Sequence, residues 1–188
     1  MKEKMTSKLN EKYKEVSSKL FSDLGFTSVM QVPRIKKVVV NAGIGAIKDQ
    51  KETLEGFVSD LAKITGQLPS RRKAKKSEAG FKIRKDEVVG LKVTLRGSRM
   101  WAFLDKFISI VLPRVRDFSG LDRKSIDHGG NLNIGISEHT LFPEVDQNNV
   151  KNIRGFEISI VTNSGNKEDS EKLFDALNIP FQKVAKLR

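Results

Sequence analysis

Eight cationic side chains crowd the stretch SRRKAKKSEAGFKIRK, residues 70–85, around a single glutamate. Lysine and arginine at that density suit the binding of phosphate oxygens, because each cation releases a condensed counterion from a nucleic-acid backbone. A solvated face is the ordinary fate of a charge run, but hydration gives no reason to gather like charges in one connection. From Arg71 to Arg99, eleven Lys and Arg stand against three acids, a local +8 within a chain of net charge +12. Ala74, Ser77, Ala79 and Gly80 keep the segment slender enough to enter a groove. Phe81 suits either stacking on an unpaired base or, beside Ile83, a place in the core.

Other candidate chemistry is thin. NAGIGAIK follows a β-branched run, but the third glycine of a dinucleotide fingerprint falls on Lys48 and the next helix begins late. Gly43 and Gly45 therefore read as a tight turn. No Gly-x-x-x-x-Gly-Lys-Ser/Thr is present. The two histidines, His128 in SIDHGG and His139 in SEHTLF, sit beside Asp127 and Glu138. Adjacent residues of an extended chain point to opposite sides, so neither pair forms a site by itself. Both histidines read as solvated loop residues, with no third donor spaced for a metal. Nothing nominates a nucleophile and a base together, and no catalysis, metal or cofactor is expected.

The chain that must position these groups has 188 residues, 38% of them hydrophobic and including eleven Phe, enough for one domain with a sizeable core. Its excess charge favours nucleic acid as partner, with an anionic membrane surface second. Absent cysteines exclude disulfides and thiolate zinc sites and suit a reducing interior. No apolar run approaches a membrane span, and MKEKMTSKLNEKYKE is too charged for the apolar core of a signal peptide, so a cytoplasmic location is expected.

Periodicity supplies the elements. Leu9, Tyr13, Val16, Leu20 and Leu24 recur at helical steps, with Thr6 or Ser7 to cap the start and Gly25 to end it. RIKKVVVNAGIG reads as a buried strand emptying into a turn. Leu54, Phe57, Val58, Leu61 and Ile64 share a face of a second helix closed by Gly66. The basic segment is a long loop leading to EVVGLKVTLRG, where Val89, Leu91, Val93 and Leu95 alternate as in a strand. A third helix is expected over 99–112, with Met100, Leu104, Phe107, Ile108 and Val111 inward and Pro113 stopping it. NLNIGIS and GFEISIV read as two strands separated by a polar connection containing FPEVDQNN, and a last helix runs from near Asn166 to before Pro180. The later strands lack βαβ spacing, so the expected fold is α+β, a single domain over 1–188 with a mostly antiparallel sheet and flexible tails at 1–5 and 184–188.

VMQVPRIKKVVVNAGIG, GQLPSRRKAKKSEAGFKIR, GLKVTLRGSRMWAFLDKFISIVLPRVRDFSGL, FPEVD and NIPFQK, in unbroken order from about Tyr13 to Gln182, resemble the large-subunit ribosomal protein five family of the bacterial, 5S-binding type. The resemblance implies a curved antiparallel sheet packed on one side by helices. It implies no catalysis and no small-molecule substrate, and assembly with 5S ribosomal RNA and large-subunit ribosomal RNA into the central protuberance. It places the 5S contact at Asn41, Gln67 and Thr94, with Gly43 and Gly66 permitting close backbone approach. It directs the basic loop, Arg71, Arg72, Lys73, Lys75, Lys76, Ser77, Gly80, Phe81, Lys82 and Arg84, toward transfer RNA in the peptidyl site. Neighbouring ribosomal proteins, one of them a small-subunit protein across an intersubunit bridge, complete the implied partners. Ala42 stands where the family usually has methionine, which bears on an apolar contact near the RNA, and the tail Val184–Arg188 runs past the usual ending. Without the resemblance, Asn41 reads as an ordinary turn cap and Gln67 and Thr94 as solvent-exposed. The rival classes are an enzyme processing nucleotides or RNA and a peripheral membrane protein, for which the residues offer only NAGIG, the two histidines and the general charge.

Overall fold

The structure, a computed structural model, describes residues 7–47, 50–146 and 152–182. Thr6, Lys48, the expected tails and residues 147–149 of the FPEVDQNN connection lie outside them. Four α-helices and a five-stranded antiparallel sheet form an α+β fold: α1 Lys8–Asp23, β1 Ile35–Gly43, α2 Lys51–Thr65, β2 Ser70–Lys73, β3 Val88–Leu95, α3 Gly97–Lys106, β4 Leu132–Ile136, β5 Phe156–Thr162 and α4 Lys167–Ala176. The strands are ordered β2-β3-β1-β5-β4. Two compact units interleave along the chain. One comprises Met1–Val38, Arg96–Ile134 and Ser159–Arg188, the other Val39–Leu95 and Gly135–Ile158.

In the first unit, Ser7 caps α1 by accepting from the Asn10 amide at 3.3 Å, and Leu9 and Leu20 bury one stripe of the helix. Tyr13 lies against Trp101 of α3 with ring centres 5.3 Å apart. Asn166 caps α4, accepting from Asp169 at 2.9 Å. The Thr162 hydroxyl donates to the Gly130 carbonyl at 2.9 Å, and the Ser164 and Ser170 hydroxyls pair beside it. A side chain at Gly130 would overlap both serines, and its φ of +78° already suits glycine.

The third helix departs from expectation. Regular α-helix ends at Lys106, widens into a π-turn over Phe107–Val111 and closes with a 3-10 turn over Leu112–Arg114 that contains Pro113. Trp101 and Phe103, absent from the expected inward set, are buried on the regular α-helical part, three residues from Leu104 and Met100 respectively, while Ile108 in the π-turn is only half-buried. Phe107 and Val111 remain in the core as expected.

In the second unit, α2 buries all five apolar residues expected of it, and Gly66 ends it in the left-handed conformation at φ +65°. The segment read wholly as a loop begins instead as strand β2, paired antiparallel with β3 in the register Ser70 to Lys92, Arg71 to Leu91 and Arg72 to Gly90. Charged residues carry little strand preference of their own, so this pairing comes from the hydrogen-bonding edge that β3 offers. All four β2 residues are exposed.

Core and edge therefore differ sharply in what they contribute to stability. Leu91→Ala, which empties a fully buried site on β3, should lower the unfolding free energy by about 2–5 kcal/mol. Arg71→Ala, directly opposite it and with its side chain paired to the exposed Glu55 of α2, should cost less than about 1 kcal/mol. Urea denaturation of the two variants checks the contrast.

Candidate nucleic-acid interface

Burial alternates along β3: Leu91, Val93 and Leu95 turn inward, and Lys92 and Thr94 lie half-buried on the other face. The end of β1 does the same, with Val40, Ala42 and Ile44 buried and Asn41 and Gly43 exposed. The two strands are hydrogen-bonded neighbours, and the Ile44 amide donates to the Val89 carbonyl at 3.0 Å. Asn41 and Thr94 thus project outward from adjacent strands. The period of two, enforced by the buried valines and leucines, leaves them no other side.

Gln67 follows α2 and is half-buried, its carbonyl 2.9 Å from the Thr65 hydroxyl. Gly66 places that turn, since its positive φ is a conformation that other residues adopt only with strain. No atom lies within 4 Å of a side chain built at Gly43 or Gly66, so both present open backbone on the surface. Ala42 points into the core with 1% of its surface exposed. A side chain at this position therefore bears on core volume.

The register adds residues that the spacing alone does not single out. Lys92 shares the outward face of β3 with Thr94, two residues away, a relation visible in the alternation of GLKVTL. Arg72 lies opposite Gly90, whose missing side chain would sit 3.9 Å from the Arg72 Cβ. Arg72 therefore belongs to the sheet as well as to the basic segment. Beyond β2 the chain stays organised: Ala74 donates to the Glu87 carbonyl and accepts from Asp86, and Glu78 and Ile83 exchange both backbone hydrogen bonds. Lys75, Lys76, Ser77, Gly80, Phe81, Lys82 and Arg84 are all exposed on this hairpin-like arm. Phe81, with 76% of its surface free, is not a core residue.

Charge on the arm is scarcely neutralised from within. Arg71 pairs with Glu55 of α2. Among the described residues, Arg72, Lys73, Lys75 and Lys76 have no carboxylate within salt-bridge distance. Asn, Gln and Thr supply donors and acceptors for base edges and 2′-hydroxyls, and the arm supplies cations for phosphates. The surface thus presents two kinds of RNA-binding chemistry on one compact unit.

The histidines divide. His128 is exposed, and its neighbour Asp127 accepts from the Asn131 backbone at 2.8 Å and from its side-chain amide at 2.9 Å, holding a turn. His139 overturns the expectation of a solvated loop residue, with only 1% of its surface exposed. Its Nδ1 accepts from the Arg154 amide at 3.1 Å, its ring meets Phe57 edge-on, and its Nε2 lies 3.7 Å from Asp60. Phe57, Asp60 and Arg154 thus surround the ring, and the His139 amide donates to the Arg154 carbonyl at 2.9 Å. Among the described residues no cluster of three metal-ligating side chains occurs, and no helix is long and apolar enough to cross a membrane.

Burial holds the His139 pKa below the usual histidine value, against the opposing pull of Asp60. The unfolded chain then binds the extra proton more readily than the folded one, so the stability at stake is complete above about pH 6.5 and lost as pH falls through the folded value. Thermal melts should show a steeper drop in Tm on acidification below about pH 6.5 for the wild type than for His139→Asn, whose amide oxygen can accept the same Arg154 amide without titrating. Parallel profiles would contradict this.

Comparison with known families agrees with the geometry. Residues 28–84 match the family model described as Ribosomal protein L5, and residues 88–181 match the model for the C-terminus of the same ribosomal family. The first match holds Asn41, Gln67 and most of the cationic arm, and the second holds Lys92, Thr94 and the buried histidine. Membership implies a structural role rather than a catalytic one, at the ribosome and among ribosomal RNA and ribosomal proteins. The chain belongs to the ribosomal protein L5 family, an rRNA-binding constituent of the large ribosomal subunit that works in translation.

Proposed function

We propose that the protein binds 5S ribosomal RNA through the outward face of β1 and β3 and helps attach it to the central protuberance. On this reading Asn41 and Thr94 meet base edges or 2′-hydroxyls, Gln67 joins them from the turn after α2, and Gly43 and Gly66 admit the RNA close to the backbone. The basic arm reaches transfer RNA in the peptidyl site, with Arg71, Arg72, Lys73, Lys75, Lys76, Lys82 and Arg84 as its cations. The whole chain acts as one ribosomal domain on cytoplasmic ribosomes and meets a small-subunit protein across an intersubunit bridge.

The observation that carries this reading is the division of labour within one compact unit. The sheet face offers polar groups of fixed direction, which suit specific recognition, and the arm offers cations with few internal partners, which suit phosphate. A groove lined with reactive groups would point elsewhere, and the buried histidine serves the fold.

Asn41→Ala and Thr94→Ala should each weaken binding of 5S ribosomal RNA by about two- to tenfold in a gel-shift assay, with the melting temperature unchanged. Replacing Arg71, Arg72, Lys73, Lys75 and Lys76 together by Gln should impair contact with transfer RNA on the large subunit more than 5S binding. Unchanged 5S affinity in the single variants would remove the sheet face as the site, and equal loss of both activities in the multiple variant would show that the two surfaces are one.

A further inference from the structure

The arm between β2 and β3 carries two features that its charge does not explain. Phe81 stands at its tip with 76% of its surface in water. Burying a side chain of that size stabilises a fold by about 1.5–3 kcal/mol, and the arm forgoes that gain although Ile83, two residues on, is half-buried. The second feature is backbone conformation. Lys82 and Asp86 hold φ of +51° and +67°, two of the four non-glycine residues with positive φ among those described. Such conformations cost of order 1 kcal/mol or more and persist where the surroundings enforce them.

The hydrogen bonds show what enforces them. Glu78 and Ile83 exchange bonds of 2.9 and 3.0 Å, the Lys85 amide donates to the Ser77 hydroxyl at 2.9 Å, and the Arg84 amide donates to the Glu87 carboxylate at 2.9 Å. Between them Ala79–Phe81 form a 3-10 turn closed by the Lys82 amide on the Ala79 carbonyl at 3.0 Å. A ladder of short bonds thus pins a tight tip, and the left-handed residue after Phe81 turns the chain back at that point. The aromatic ring is the one large apolar group on the tip, and Lys82 follows it directly.

We propose that Phe81 is a stacking platform for an unpaired RNA base, presented on a preformed hairpin whose lysines and arginines hold the flanking phosphates. This deepens the assignment of the arm as an RNA contact and rests on it. An exposed ring with neighbouring cations fits a nucleobase because every base has a flat π-face, and stacking tolerates any sequence while the cations take the backbone on either side. Order in the free arm lowers the entropy lost on binding, which a floppy loop of the same composition would have to supply. Stacking also requires an open base, so the arm distinguishes a loop from a continuous duplex where charge alone does not.

The test uses the full chain with two RNA probes of equal length, a stem–loop with unpaired loop bases and a blunt duplex. Phe81→Leu should weaken stem–loop binding by about five- to hundredfold and duplex binding by less than twofold, without changing the slope of log K against log salt. Phe81→Trp should restore stem–loop affinity, and its indole fluorescence should be quenched by the stem–loop alone. Lys75→Gln with Lys76→Gln should lower the salt slope for both probes. Wild-type affinity of Phe81→Leu for the stem–loop, or equal losses on both probes, overturns the stacking role. If the lysine variant still shows its reduced slope, the arm stands as an RNA contact; if neither variant alters binding, that assignment falls too. Capture of the wild type, but not of Phe81→Leu, by vesicles of anionic phospholipid in the presence of competing RNA would replace the base with a membrane and overturn the proposal.

Discussion

Alternation along β3 is the constraint from which the surface follows. Leu91, Val93 and Leu95 must leave water together, and a strand has only two sides, so Lys92 and Thr94 are committed to the opposite face. The same rule at the end of β1 sends Val40, Ala42 and Ile44 inward and Asn41 and Gly43 outward. Hydrophobic burial therefore fixes the direction of the polar side chains without any contact among those side chains themselves. A slip of one residue in either strand would bury the lysine and asparagine and expose the core.

β3 has a second task, since its other edge templates β2. Arg71, Arg72 and Lys73 have weak strand preference, and their pairing with Leu91, Gly90 and Val88 gives an otherwise soluble basic run a fixed backbone. The hydrogen-bonded base of the arm grows from that pairing, and the tip inherits its order. Repulsion among the cations is the opposing effect. It is spread along an exposed strand and hairpin where water screens it, and a polyanion would remove it while releasing counterions. Basic residues at a sheet edge also discourage pairing with other chains, so the same charge serves solubility in the free protein.

Local pattern made much of this legible. The apolar spacing of α2, the glycine that ends it, the caps of α1 and α4, and the alternation in GLKVTL each follow from residues within one or two turns of each other. What pattern could not supply was set at long range. β2 exists because β3 has an edge to share, and nothing in SRRK announces a strand. His139 is buried because Phe57, Asp60 and Arg154 converge on it from distant positions, and the residue type is equally at home in water. Trp101 joins the core against Tyr13 of α1, a partner from far back in the chain that the spacing within α3 does not announce. For the interface, the residue types and the family likeness nominated Asn41, Gln67, Thr94 and the arm, and the register then drew in Lys92 and placed Arg72 on the sheet.

The central claim is that RNA meets the outward side of β1 and β3 together with the arm, and no other part of the molecule to the same degree. Backbone amide shifts of the isotope-labelled protein, recorded as 5S ribosomal RNA is added at moderate salt, address it residue by residue. The account predicts that the largest changes fall at Asn41, Gly43, Gln67, Lys92 and Thr94 and along the arm, while the amides of α1 and α4 hold their positions. Changes concentrated on those two helices, with Asn41 and Thr94 unmoved, would contradict it.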